Sequence, residues 1–170
     1  WHAAGLVSQL GPTAAVTKIR KYTLDLYKNL EKEVDHSAGL RLNGALSIAQ
    51  TESRWQELQR QATTAQLYDV DIEILDKEVI KKKYPMMHTD DLKGGVLTPG
   101  DGAADPSGVT HMLAKAARKG GAKIFEQSPA EIILTKNGRV HGVKVNGEEI
   151  ECEYIVLATG MWSRQIGEKI

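Results

Sequence analysis

The sequence feature that most limits the possible folds is a pair of Asn-Gly dipeptides, at 137–138 and 146–147, between three short segments rich in β-branched residues. Asn-Gly is a strong signal for a two-residue β-hairpin, because both central positions of a type I′ turn need positive φ. Segments 132–135, 140–145 and 149–152 are therefore predicted to form a three-stranded antiparallel meander.

The segments that flank this meander extend the prediction to an α/β fold. Asp105 is a candidate N-cap, with Pro106 at the first helical position, so a helix is predicted from there to Gly120. Segment 122–126 is predicted to be a strand. Segment 154–158 is apolar without alternation, which is typical of a strand buried on both faces. Helix, strand, meander and buried strand in this order indicate the second half of a two-dinucleotide-binding flavoprotein domain.

The first part of the chain is predicted to contain a long helix that ends near His36. In this helix Ile19, Tyr22, Leu26 and Leu30 fall at helical spacing, which predicts a single apolar stripe.

The region from 37 to 97 has a different pattern, in which strands alternate with polar helices. Strands are predicted at 42–49, 72–75 and 94–98, and helices at 52–67 and after Asp76. This alternation suits an α+β layer that covers a cofactor.

The predicted domain organisation is therefore discontinuous. Residues 1–36 and 98–170 are assigned to an FAD-binding domain, and residues 37–97 to a substrate-binding or cap region inserted into it. The chain contains no Gly-x-Gly-x-x-Gly fingerprint, which binds a pyrophosphate at a helix N-terminus. We expect that fingerprint to lie upstream of Trp1 in the intact protein.

Composition excludes several classes of function. The formal net charge is zero, so no basic field favours nucleic acid. The longest apolar run, 155–158, is far shorter than the ~20 residues of a membrane span. The single cysteine, Cys152, excludes an internal disulfide and a cysteine-cluster metal site. These features favour the cytoplasm or the mitochondrial matrix.

The histidine at position 2 has an unusual setting. A single histidine is more often a hydrogen-bonded structural residue than a reactive one. His2, however, lies between Trp1 and the small residues 3–5, which leave room for a bulky group to approach the imidazole. No second ligand lies at suitable spacing, so metal binding is disfavoured.

Three stretches carry a resemblance to a known family: residues 1–6 (Trp-His-Ala-Ala-Gly-Leu), residues 99–102 (Pro-Gly-Asp-Gly) followed by Asp105-Pro106, and residues 158–162 (Ala-Thr-Gly-Met-Trp). The chain resembles the dimethylglycine dehydrogenase and sarcosine dehydrogenase family of flavoenzymes, which have a D-amino-acid-oxidase-like fold. This resemblance implies that His2 is bonded covalently to FAD. It also implies that Trp162 packs beside the flavin and that the backbone around Glu131 faces the adenine. The Glu131 side chain departs from the apolar residue expected there.

Other candidate residues keep more than one interpretation. Gly160 could be a glycine at the start of a helix, but behind a meander and a predicted buried strand the favoured interpretation is close backbone approach to FAD. Trp162 could equally belong to a core. Asp101 and Asp105 look like an acid–base pair, but a turn residue and a helix cap are the favoured assignments. No catalytic residue is identified within the chain.

The function that the resemblance implies is oxidation of an N-methylated amino acid, such as dimethylglycine or sarcosine. Hydride passes from the N-methyl carbon to FAD, and the resulting iminium gives formaldehyde or methylene-folate. The implied partners are the small amine substrate and an electron acceptor, either electron-transfer flavoprotein or oxygen. Tetrahydrofolate is a further candidate cofactor of the intact protein.

Two alternatives remain open at the level of sequence. One is a non-catalytic regulatory member of the same fold, like the regulatory subunit of pyruvate dehydrogenase phosphatase. The other is a flavoenzyme that holds FAD non-covalently and oxidises another amine or a hydroxy acid. Fold alone does not separate these functions.

Overall fold

The structure is a computed structural model that describes residues 3–168. It contains helices and sheets in two compact units, which meet in sequence between Ala122 and Lys123 and are described separately below. The predicted FAD-binding domain and substrate region are defined by the ligand that each would bind, whereas these units are defined by compactness. The predicted division therefore stays a prediction. Within residues 3–168, no helix is both long and apolar enough to cross a membrane.

A three-stranded antiparallel sheet lies at the centre of the first unit. Its strands are β2 (Ala45–Ala49), β3 (Glu73–Leu75) and β4 (Gly94–Thr98), in the order β2-β4-β3. All five residues of the middle strand β4 are buried, as expected for a strand paired on both sides. The three strands predicted for this region are confirmed.

Two helices cover this sheet. Helix α2 (Glu52–Gln66) buries Leu58 against Ala49 and Val96. Helix α3 (Lys77–Lys83) begins at the predicted cap, Asp76, whose carboxylate accepts a hydrogen bond from the Val79 amide at 2.7 Å. The core under α3 consists of Leu75, Ile80, Leu92 and Leu97.

Helices α1 (Ala14–Val34) and α4 (Pro106–Lys119) flank a second core of the first unit, where they pack against each other. The buried members of this core are Val34, Ala38 and Met112. Leu30 contacts the same core, so the predicted stripe is confirmed at this position. Leu24, which the stripe does not include, is buried as well.

In the first half of α1 the predicted stripe is wrong. Ile19 is 64% exposed and Tyr22 is 69% exposed. Thr17 is buried instead, because its hydroxyl bonds with the backbone of Gly11 and Thr13. Spacing alone therefore misplaced the buried face in this part of the helix, where a threonine with a locally satisfied hydroxyl is buried instead of the apolar side chains.

A short two-stranded ribbon holds the beginning of the described chain. Strand β1 (Leu6–Val7) pairs antiparallel with β5 (Gly102–Ala103), and Leu6 lies opposite Ala103. An isolated bridge joins Ala103 to Arg41.

The second unit contains the predicted meander. Strands β6 (Ala130–Lys136), β7 (Arg139–Val145) and β8 (Glu148–Glu151) form an antiparallel sheet in sequence order. The two Asn-Gly turns have positive φ at all four residues, with values from 51° to 80°. This is the type I′ geometry that the dipeptides predicted.

Two predicted strands are wrong. Segments 122–126 and 154–158 contain no strand. Tyr154 and Val156 are 86% and 89% exposed, where burial on both faces was predicted. A buried strand needs neighbouring strands for its backbone groups and layers to cover its side chains. Neither is supplied to this segment by the described part of the second unit, which ends with a 3-10 turn (Gly160–Trp162) and helix α5 (Ser163–Gly167).

Candidate functional site

The segment that follows His2 forms one wall of a cleft in the first unit, here called the N-terminal cleft. His2 itself lies outside the described residues, so its predicted bond to flavin stays a prediction. Ala3, Gly5 and Leu6 line this cleft of about 430 Å³, together with Arg20 and Tyr27 of α1. The wall next to the predicted attachment residue is therefore made of small and apolar groups.

Backbone geometry fixes the shape of this wall at Gly5. Its φ is +74°, in the left-handed region that favours glycine. A methyl group at Gly5 would overlap the carbonyl oxygen of Ala104. The two residues are held together by a hydrogen bond from the Ala104 amide to the Gly5 carbonyl at 2.8 Å. The small residue in this motif is thus required by close packing as well as by conformation.

Asp101 is the buried carboxylate of this region, with 6% exposure. Its amide donates to the Thr98 carbonyl at 3.2 Å, which confirms the predicted turn. Its carboxylate accepts bonds from Gln9, a contact that the sequence analysis missed. Burial raises the pKa of Asp101, while the Gln9 bonds and the charge of Arg20 act in the opposite direction.

Asp105 is a helix cap, as predicted. Its two carboxylate oxygens accept bonds from the amides of Ser107 at 3.2 Å and Gly108 at 2.9 Å. These amides are among the four that have no partner inside the helix. The structure therefore gives Asp105 a structural task at the start of α4.

Asp105→Ala is expected to reduce stability without affecting chemistry. Loss of an N-cap costs about 0.5–2 kcal/mol, whereas loss of a general base reduces rate by roughly 100- to 10,000-fold. Thermal unfolding and turnover of the intact protein distinguish these effects. Asp105→Ser is the matched control, because serine can cap the same helix. Normal melting of the alanine variant with a rate loss of that size would contradict the cap assignment.

The second unit contains another cleft, here called the C-terminal cleft, of about 600 Å³. Two of the predicted FAD-contact residues, Gly160 and Trp162, both line it. Ala130, which precedes Glu131 in β6, lines it as well. The structure therefore brings Gly160 and Trp162 together and places the chain next to Glu131 at the same cleft.

The C-terminal cleft can accept a large planar group. Gly160 has φ +55° and would have no heavy atom within 4 Å of an added methyl group, so its backbone borders open space. Trp162 is 58% exposed and can offer its indole to a ligand. Ala158 and Thr159 add small side chains to the lining. These features fit the close approach of an aromatic cofactor.

Glu131 lies at a register shift in β6, between the pairs formed by Ala130 and Ile132. Its carboxylate accepts a bond from the Gly147 amide at 2.9 Å, within the meander. The side chain therefore supports the sheet, and the expected cofactor role of the Glu131 backbone stays a prediction.

Solved structures define the class of fold. L-proline dehydrogenase from P. horikoshii superposes with a TM-score of 0.87 at 24% identity, over 96% of this chain and 43% of that chain. Glycine oxidase from Bacillus cereus gives a TM-score of 0.78 at 25% identity, over 98% of this chain and 47% of that chain. The fold is that of D-amino-acid-oxidase-like flavoproteins, as predicted.

The chain belongs to the family of FAD-dependent oxidoreductases, whose family model matches residues 1–170. Its relatives include 4-methylaminobutanoate oxidase (formaldehyde-forming) from Paenarthrobacter nicotinovorans, 33% identical over 98% of this chain and 20% of the relative. Dimethylglycine dehydrogenase from Rattus norvegicus is 30% identical over 100% of this chain and 20% of the relative. Sarcosine dehydrogenase is also among the matches, and the resemblance found in the sequence is confirmed.

A further relative is named as a regulatory subunit and not as an oxidoreductase. The regulatory subunit of pyruvate dehydrogenase phosphatase from Mus musculus is 29% identical over 96% of this chain and 19% of the relative. The chain spans about one fifth of the length of the curated relatives that it matches.

Proposed function

We propose that this chain is part of an amine oxidoreductase with FAD bonded covalently to His2. The observation that carries the proposal is the position of the segment after His2, which lines the N-terminal cleft with Ala3, Gly5 and Leu6. A neutral imidazole nitrogen is a nucleophile that can form such a bond. Small neighbouring residues leave the space that a flavin ring needs.

The chain's other cofactor contacts are assigned to the C-terminal cleft. The Gly160 backbone lets the cofactor approach, Trp162 packs beside the flavin, and the backbone at Glu131 faces the adenine. The open space around Gly160 and the exposed indole of Trp162 support these roles. When bound, FAD supplies the hydride acceptor for oxidation of the substrate.

The proposed substrate is an N-methylated amino acid of the dimethylglycine or sarcosine type. Two relatives support this class, since one is named for dimethylglycine and another as a formaldehyde-forming oxidase of a methylamino acid. The products are formaldehyde or methylene-folate, the latter with tetrahydrofolate as a second cofactor. Electron-transfer flavoprotein or oxygen receives the electrons, in the cytoplasm or the mitochondrial matrix.

Flavin reduction without oxygen tests the substrate class. Sarcosine or dimethylglycine added anaerobically to the intact protein is expected to bleach the visible flavin absorbance, because two electrons move to the cofactor. Glycine is the matched control, since it has the same carboxylate and amine but no N-methyl carbon. Bleaching by glycine and not by either methylated compound would contradict the proposed substrate class.

A regulatory function is the second candidate, because the phosphatase regulatory subunit matches nearly the whole chain. A regulatory module that retains flavin would stay oxidised with all of these amines. A related non-covalent flavoenzyme would be bleached by another amine or a hydroxy acid. The anaerobic measurement separates the three functions when it is extended to other amines and hydroxy acids: bleaching by one of these favours the related flavoenzyme, and flavin that stays oxidised with all of them favours the regulatory function.

A further inference from the structure

The segment from residue 3 to residue 9, here called the attachment segment, is held between residues 5 and 9 by residues 101–104. Strand β1 of the segment pairs with β5, where Val7 lies opposite Gly102. On one side of this pairing, the Ala104 amide donates to the Gly5 carbonyl at 2.8 Å. On the other side, the segment is held by a side chain, that of Asp101.

A single carboxylate oxygen makes the side-chain contact. Oδ1 of Asp101 accepts the backbone N–H of Gln9 at 2.9 Å and its side-chain Nε2–H at 3.3 Å. Asp101 is buried, so a lost partner is not simply replaced by bulk water. Gln9 is therefore fixed through both its backbone and its side chain.

Glycines on both sides of Asp101 allow this close approach. A methyl group at Gly100 would overlap the side-chain nitrogen of Gln9, and one at Gly102 would overlap the carbonyl oxygen of Arg41. The Gly-Asp-Gly sequence thus combines one hydrogen-bond acceptor with two glycines. At Gly102 the backbone of Arg41 leaves no room for a side chain, and at Gly100 the side chain of Gln9 occupies the space.

The acceptor is itself attached to the sheet of the first unit. The Asp101 carbonyl accepts from the Gly44 amide at 2.9 Å, one residue before β2 begins. The Asp101 amide donates to the carbonyl of Thr98, the last residue of β4. Asp101 therefore connects the attachment segment to regular, buried structure rather than to another loop.

We propose that Asp101 is a positioning residue, which holds the attachment segment so that His2 can bond to the flavin. This inference rests on the proposed function. A reacting group is effective only when its supports hold it near the productive geometry. Pairing with β5 and the bond from Ala104 hold residues 5–7, which follow His2 closely in sequence. The Asp101–Gln9 bonds fix the end of the attachment segment that is farther from His2 in sequence.

The role requires an oxygen acceptor and not a negative charge. Asparagine at position 101 can present the same Oδ1 to both Gln9 donors, whereas alanine leaves the Gln9 backbone N–H without its acceptor. Losing a buried acceptor is expected to raise the population of the opened segment roughly 5- to 150-fold.

The experiment compares Asp101→Ala with Asp101→Asn in the intact protein. Two quantities are measured: the fraction of flavin that stays with acid-denatured protein, and the hydrogen exchange of residues 5–9. Asp76→Ala is the control, because it removes a helix cap elsewhere in the same unit. We expect Asp101→Ala to lose acid-stable flavin and to exchange roughly 5- to 150-fold faster at Gln9. Asp101→Asn and Asp76→Ala should match the wild type.

If Asp101→Ala retains as much acid-stable flavin as the wild type, the positioning role is overturned. An equal loss of acid-stable flavin in Asp76→Ala would overturn it as well. If Asp101→Ala does not fold, Gln9→Ala replaces it, since this change removes only the 3.3 Å bond and should give the same effects in smaller measure. If wild-type protein holds no acid-stable flavin, the covalent link fails. Hydrogen exchange then decides alone: faster exchange in Asp101→Ala supports Asp101 as the holder of the segment, and unchanged exchange overturns it.

Discussion

His2→Ala in the intact protein is expected to release all of its flavin when the protein is denatured in acid, whereas the wild type stays yellow and fluorescent. The imidazole is the proposed point of attachment, and alanine offers no nucleophile. The variant should still bind FAD before denaturation, because the proposed contacts at Gly160, Trp162 and Glu131 do not involve the imidazole. Flavin fluorescence of the washed, precipitated protein measures this difference.

Turnover of His2→Ala should fall without vanishing. An imidazolyl substituent withdraws electron density from the flavin, so its loss lowers the flavin's reduction potential and the driving force for hydride transfer. His88→Ala is the matched control, since His88 is an exposed histidine of the first unit. It should keep its flavin in acid and turn over normally.

Each alternative gives a different result in this experiment. Flavin released from both wild type and variant would contradict the covalent link and favour the non-covalent relative. Absence of flavin from both would favour the regulatory function. Acid-stable flavin that persists in His2→Ala would show that another residue carries the bond.

The parts of the fold that the sequence predicted well are those decided by local chemistry. The Asn-Gly turns specify their own backbone conformation, and Asp76 and Asp105 cap helices within three residues of themselves. Such signals depend on neighbours in sequence, so they hold in many tertiary contexts.

The failures concern burial, which depends on distant parts of a protein. An apolar run such as 154–158 predicts a buried strand only where other strands and layers enclose it, and the described part of the second unit does not. Ile19 and Tyr22 follow helical spacing but are exposed, and Thr17 is buried instead. Its hydroxyl bonds with backbone groups of Gly11 and Thr13, so a polar residue that spacing does not mark can be buried. Periodicity identified a helix correctly and assigned its buried face incorrectly.

The candidate sites also differ in whether their residues are close together or far apart in sequence. Gly160 and Trp162 are close in sequence, so their shared cleft follows from one turn of chain. Asp101 and Gln9 are 92 positions apart, and no local pattern pairs them. The available signal was the Gly-Asp-Gly sequence, in which an acceptor between two glycines marks a point of close backbone approach.

Met112→Ala is expected to cost about 2–5 kcal/mol of local stability, because it leaves a cavity between α1 and α4. Met112 is fully buried, and it contacts Val34 and Ala38 in the core of the first unit. Met86→Ala is the matched control: it is the same chemical change at a residue that is 100% exposed, so it should change stability by less than about 0.5 kcal/mol. Hydrogen exchange of the α1 and α4 amides in the intact protein measures the local free energy of opening. Equal exchange in the two variants would show that α1 and α4 do not form the core described here.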